Sequence, residues 1–175
     1  MKAILRTGVA ASMMCAMVGQ CWAAGVCANP QEARALKTAA VQQKLMVAAL
    51  YCDDVGFYNR FVITFQKELQ DSDAVLLNYF QRTNVNTGTD DYHAYKTALA
   101  NNFSVSSVRH MGYYCSRANA AFDAALNPDN RALATFVSAQ YIPEIYGYAT
   151  CDDRVAGGDL VAGASSEFAA QSARN

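Results

Sequence analysis

The chain has 175 residues, with 14 Lys and Arg against 15 Asp and Glu, a formal charge of −1. That balance excludes the basic footprint of a nucleic-acid-binding domain, and the length suits one domain with a real core. Only 17% of residues are charged and 53% are hydrophobic, so the composition is that of a globular chain rather than a disordered one.

The N-terminus carries Lys2 and Arg6, then a run of small and apolar residues from Gly8 to Val18, then "GQCWAAG". Basic, apolar and small segments in that order read as a secretory signal over residues 1–24. Cleavage after Ala23 and cleavage after Gly25 both satisfy the small-residue pattern. The apolar run falls short of the ~20 residues that span a bilayer, and large Gln20 before Cys21 argues against a lipid anchor. The mature chain is expected to be exported to the periplasm or beyond, and not to span a membrane. It keeps 12 basic and 15 acidic residues, a net of −3.

Export removes Cys15 and Cys21 and leaves Cys27, Cys52, Cys115 and Cys151. An even number in an oxidising compartment predicts two disulfides. There is no CxxC for a redox centre or zinc ribbon, and no CxxCH for covalent haem.

The mature region, 25–153, reads as helix throughout. Asn29 as N-cap, Pro30 at the first helical position and Glu32 three residues on form a capping arrangement. Strong helix formers follow to Tyr51. A second helix restarts from Asp53 or Asp54 and runs to Gln70, with Phe57, Tyr58, Phe61, Val62, Phe65 and Leu69 on one face. A third opens at Asp71 or Ser72, and "TNVNTGTD" is a loop. A fourth begins at Asp90 or Asp91 and breaks at Asn101–Asn102, and a fifth spans Ser104 to Leu126. "NPDN" stops that helix and caps a sixth, "RALATFVSAQ". The Gly- and Ala-rich segment 154–175 is expected to be a flexible tail. The expected fold is therefore all-α, a single bundle of about six helices stapled by two disulfides.

Helix length limits the pairing. From Pro30 to Tyr51 the first helix is ~32 Å long, whereas Cys27 can fold back only ~10 Å. A disulfide needs Cα atoms within ~7 Å, so Cys27 cannot reach Cys52. Two arrangements remain: 27–115 with 52–151, or 27–151 with 52–115.

Cys52 and Cys151 each precede two aspartates. Were they paired, Asp53, Asp54, Asp152 and Asp153 would crowd together and call for a hard cation such as Ca²⁺. A calcium loop alternates Asp or Asn with a glycine and a distal Glu, and neither stretch does. The aspartates read as helix-end caps, and no metal or cofactor is expected. Without a cation, 27–151 with 52–115 is the easier arrangement.

Catalytic candidates are few. His93 and His110 lack a third ligand partner for zinc, and no serine sits in a G-x-S-x-G elbow. Among the glutamates Glu32, Glu68, Glu144 and Glu167, only Glu68 lies at the rim of an apolar face. Glu68 as the acid of a cell-envelope glycan hydrolase is the enzymatic alternative. The preferred reading is a non-catalytic domain that binds a partner protein or small ligand in the cell envelope. Its candidate surface is Tyr141, Tyr146 and Tyr148 in "YIPEIYGYATC" with Tyr113 and Tyr114 in "GYYCS".

Three stretches, "LKTAAVQQKLMVAALYC", "YNRFV" with the following "KELQDSD", and "YHAYKT", resemble those of a group of small exported four-cysteine helical proteins of alphaproteobacteria. The likeness runs from Leu36 to Cys115, about half the chain. It implies export and the cysteine framework, and brings no activity with it.

Overall fold

The computed structural model describes residues 27–130, 132–143 and 149–151. The expected signal segment, Glu144, Tyr146, Tyr148, Asp152, Asp153, Glu167 and the 154–175 tail lie outside them. The described chain is all-α: α1 (Pro30–Tyr51), α2 (Val55–Thr64), α3 (Gln66–Thr83), α4 (Gly88–Arg109), α5 (Met111–Ala125) and α6 (Leu133–Ala139).

α1 starts as its sequence dictates. The Asn29 side chain accepts from the Gln31 and Glu32 amides, and the Glu32 carboxylate accepts from the Asn29 amide. This satisfies N–H groups that a helix start otherwise leaves unpaired. The helix is the spine of the domain, touching each of the other five. Leu36, Ala39, Ala40 and Val47 pack on α3 and α4, against Leu76, Tyr79, Phe80, Tyr95 and Leu99. Val41, Leu45 and Ala49 pack on α2, α5 and α6, against Phe61, Phe65, Phe122 and Phe136. A helix that is apolar on both sides is a buried one, and its many alanines let neighbours approach closely.

Four element boundaries differ from the sequence expectation. The helix expected over 53–70 breaks at Phe65, because three consecutive β-branched residues, Val62, Ile63 and Thr64, weaken its last turn. Phe61, Phe65 and Leu69 remain on one buried face across the joint. Asp71 and Ser72 accordingly lie inside α3, where Asp71 pairs with Lys67 at 2.7 Å. α4 opens at Gly88, which places Asp90 and Asp91 in its first turn rather than at its cap. It also runs straight through Asn101–Asn102 to Arg109, since Leu99, Phe103 and Ser107 continue one buried face. Burial outweighs asparagine's weak helix preference there, so the break falls at His110 and the next helix starts at Met111, not Ser104.

Gly88 is buried where α4 turns back on α3. A Cβ there would meet the Gln81 Cα at 2.5 Å and the Phe80 carbonyl oxygen at 2.6 Å. Both are backbone atoms, so the corner admits only glycine.

Cys27 pairs with Cys151 (Cα–Cα 5.0 Å) and Cys52 with Cys115 (5.6 Å). The first bridge is reinforced by two backbone hydrogen bonds at 3.0 Å, from the Ala28 amide to the Ala149 carbonyl and from the Cys151 amide to the Ala28 carbonyl. Arg82 reaches the same corner from α3. It donates to both Glu32 oxygens, at 2.9 and 2.7 Å, and to the Cys27 carbonyl at 3.3 Å.

Candidate functional site

The aspartates after Cys52 terminate a helix. Asp53 adopts φ 60°, the left-handed conformation that aspartate tolerates better than most residues. The Asp54 amide then donates to the Ala49 carbonyl at 3.0 Å, closing the end of α1 as a Schellman motif does. Asp54 sits at the N-cap position of α2, but its side chain makes no capping bond, and its buried Oδ2 has no hydrogen-bond partner. The cation cage required Cys52 bonded to Cys151, a bridge the chain does not form.

Glu68 is exposed, and its Oε1 accepts the Leu133 amide at 2.9 Å. The carboxylate considered for acid chemistry thus closes the N-terminus of α6. Asn130, expected to cap that helix, donates to the Ala125 carbonyl at 3.1 Å and fastens the end of α5 instead. His93 and His110 are both exposed. No three His, Cys, Asp or Glu side chains among the described residues stand together as metal ligands.

The tyrosines divide. Tyr141 is 72% exposed beyond α6. Tyr113 and Tyr114 lie on α5, beside Cys115. Together with Lys44 and Arg117 they rim a hollow of about 110 Å³ whose floor is Leu45, Ala48 and Ala118. These three floor residues are all buried. The Tyr114 hydroxyl donates to the Lys44 carbonyl at 3.3 Å. Arg117 lies 5.7 Å from the Tyr113 ring centroid and donates to its hydroxyl oxygen at 3.3 Å.

The electrostatics of this hollow are one-sided. Burial holds the Lys44 ammonium below the usual lysine range, and the Arg117 guanidinium pushes the same way. Among the described residues no carboxylate forms an ion pair with either cation. The hollow therefore offers two positive groups and a phenol above an apolar floor.

A second, wider depression of about 630 Å³ lies between α2 and the end of α5, with Phe57, Ile63, Leu126 and Pro128 in its wall. It is open to solvent and carries one cation and one carboxylate, Arg60 and Asp123. Enclosure and unmatched charge favour the smaller hollow as the ligand site, despite its size.

Sequence reasoning reached Tyr113 and Tyr114 but missed Lys44 and Arg117. The signal was present in the spacing. Lys44, Ala48 and Cys52 follow at i, i+4 and i+8, and Tyr113, Tyr114, Arg117 and Ala118 flank Cys115. With the Cys52–Cys115 bridge chosen, helical periodicity brings these two sets face to face.

Compared with protein-family models, curated proteins and solved structures, the chain matches none. No helix among the described residues is long and apolar enough to cross a membrane.

Proposed function

We propose that this chain is an exported, non-catalytic helical domain that binds a partner in the cell envelope. The observation that carries the reading is the α1–α5 hollow, where two cations that pair with no carboxylate among the described residues rim an apolar floor next to a disulfide. Support for export comes from the signal-like N-terminus and from bridges closing separations of 124 and 63 residues, which belong to oxidising compartments. The Cys52–Cys115 bridge holds the end of α1 against α5, so the site is preorganised, and less binding energy is lost in ordering it.

The test is a native intact mass of the chain from its producing cell, fractionated without reductant. The expected result is an envelope or secreted species that lacks the N-terminal signal and is lighter by two hydrogens per disulfide. A cytosolic, reduced, full-length chain would overturn the reading. The non-catalytic part has its own check. Glu68→Gln keeps an acceptor for the Leu133 amide, so the fold should persist. Turnover of a cell-wall glycan by the native chain, lost in that folded variant, would refute it.

A further inference from the structure

We infer that the α1–α5 hollow is a binding site for a small organic anion, a single carboxylate carried on a short apolar stem. The inference rests on the binding-domain reading and gives its ligand a chemical class. Lys44 and Arg117 supply two positive donors from facing helices, and the described chain places no carboxylate on either. Tyr113 adds a third donor, because its oxygen accepts from Arg117 and its own proton remains available. Charge-assisted hydrogen bonds of this kind are the strong ones, and an incoming carboxylate would relieve the cation–cation repulsion at the rim.

The floor decides against a bare inorganic anion. Leu45, Ala48 and Ala118 offer no donors from their side chains, and a phosphate seated on them would lose water without replacement. A short alkyl stem suits them. The volume of about 110 Å³ is somewhat below the ~150 Å³ apolar cavity that takes a benzene ring, which limits the ligand to a few carbons. Lys44 is itself half-buried, with its ammonium held below the usual lysine range by burial and by Arg117. Ligand charge would reverse that shift.

The experiment is an amide chemical-shift titration of the oxidised, processed chain with butyrate, butyramide and inorganic phosphate in parallel. Butyrate is expected to give saturable shifts confined to residues 44–48 and 113–118. Butyramide and phosphate should each bind about tenfold more weakly or worse. Lys44→Met keeps the aliphatic stem and Arg117→Gln alters an exposed side chain, so both should fold. Each should weaken butyrate by about tenfold.

Equal binding of butyramide would show a neutral apolar hollow and overturn the anion site. Phosphate binding as tightly as butyrate would overturn the organic class. Absence of localised shifts would overturn the site altogether. An exported, oxidised chain that ignores butyrate loses the hollow as its anion site and keeps only the export and the non-catalytic parts of the proposed function. A cytosolic, reduced chain removes the reading whatever butyrate does.

Discussion

Lys44 on α1 and Lys96 on α4 are both half-buried and both stand beside a tyrosine, yet their pKa values move in opposite directions. At Lys96, burial alone would lower the pKa, but hydrogen bonds to Asp73 at 2.8 Å and to the Tyr92 hydroxyl at 2.9 Å outweigh it and raise it. Tyr92 in turn donates to Asp73 at 2.6 Å, and burial together with that bond raises its own pKa. Lys96, Tyr92 and Asp73 thus partner one another in that corner. At Lys44 burial lowers the pKa and the Arg117 charge lowers it further. One half-buried lysine completes a scaffold, and the other is left needing a counter-ion. The difference separates architecture from site in a fold where both are built from the same helices.

The strongest way to break the comparison is to cut the bridge at one of its poles. Replacing Cys52 and Cys115 together by Ala should cost about 2–4 kcal/mol in urea unfolding. It should also let α1 and α5 part, so that the Lys44 ε resonances titrate like those of a free lysine while Lys96 keeps its raised pKa. Removing Cys27 and Cys151 should also lower stability, yet leave both lysines as they are. If Lys96 moves and Lys44 does not when Cys52–Cys115 is cut, the assignment of the hollow to that seam is wrong.

Gly88→Ala comes next, at about 1–3 kcal/mol, because a Cβ between backbone segments forces the corner apart. That corner brings α4 back onto α3, and with it Lys96 to Asp73. Thermal unfolding should show the loss, and Lys96 should shift down while Lys44 stays.

A smaller effect is expected of Asp73→Asn. The Lys96–Asp73 pair is partly solvent-screened, with side chains 26% and 40% exposed, so roughly 0.5–1 kcal/mol is at stake. The Lys96 pKa should fall toward or below the ordinary lysine value, as that of Lys44 does.

Much of this was legible in the sequence, and the misses have physical causes. Asn29, Pro30 and Glu32 announce α1 because capping is local chemistry. The bridge between Cys27 and Cys52 could be excluded because helix rise is a fixed length. The choice between the two remaining pairings could not be made from residues alone, since it depends on how α1 and α5 lie in space. The break at Phe65 has a local cause, the β-branched run from Val62 to Thr64, whereas the one at His110 was missed for a related reason. At Asn101–Asn102 local preference argued for a stop, but Phe103 is buried against residues of α1 and α3 and Ser107 is buried beyond it. Asn130 and Glu68 show the same limit from the other side, as the cap of α6 comes from a residue 65 positions away. Lys44 was hidden among helix formers, where a lysine ordinarily signals a solvated face.

The finest test acts on Lys44 alone. Its folded pKa lies below the model-compound value of 10.5, so between those two values the unfolded chain holds a proton that the folded chain has released. Stability attributable to Lys44 must therefore rise with pH across that window, its penalty being fully present below the folded pKa. Lys96 has the opposite sign, with a folded pKa above 10.5, and its contribution is present below 10.5 and lost as pH climbs through the folded value. Lys44→Met should then stabilise the chain near neutral pH, by only a few tenths of a kcal/mol because the ammonium is partly exposed. The advantage should shrink as pH passes through the Lys44 folded pKa toward 10.5. Comparing native and Lys44→Met unfolding at neutral and alkaline pH cancels the tyrosines and Lys96, which both chains share. A stabilisation that is constant with pH would mean that the gain is packing of the methionine. A gain that disappears when butyrate is added would mean that the counter-ion, not the burial, is what Lys44 lacks.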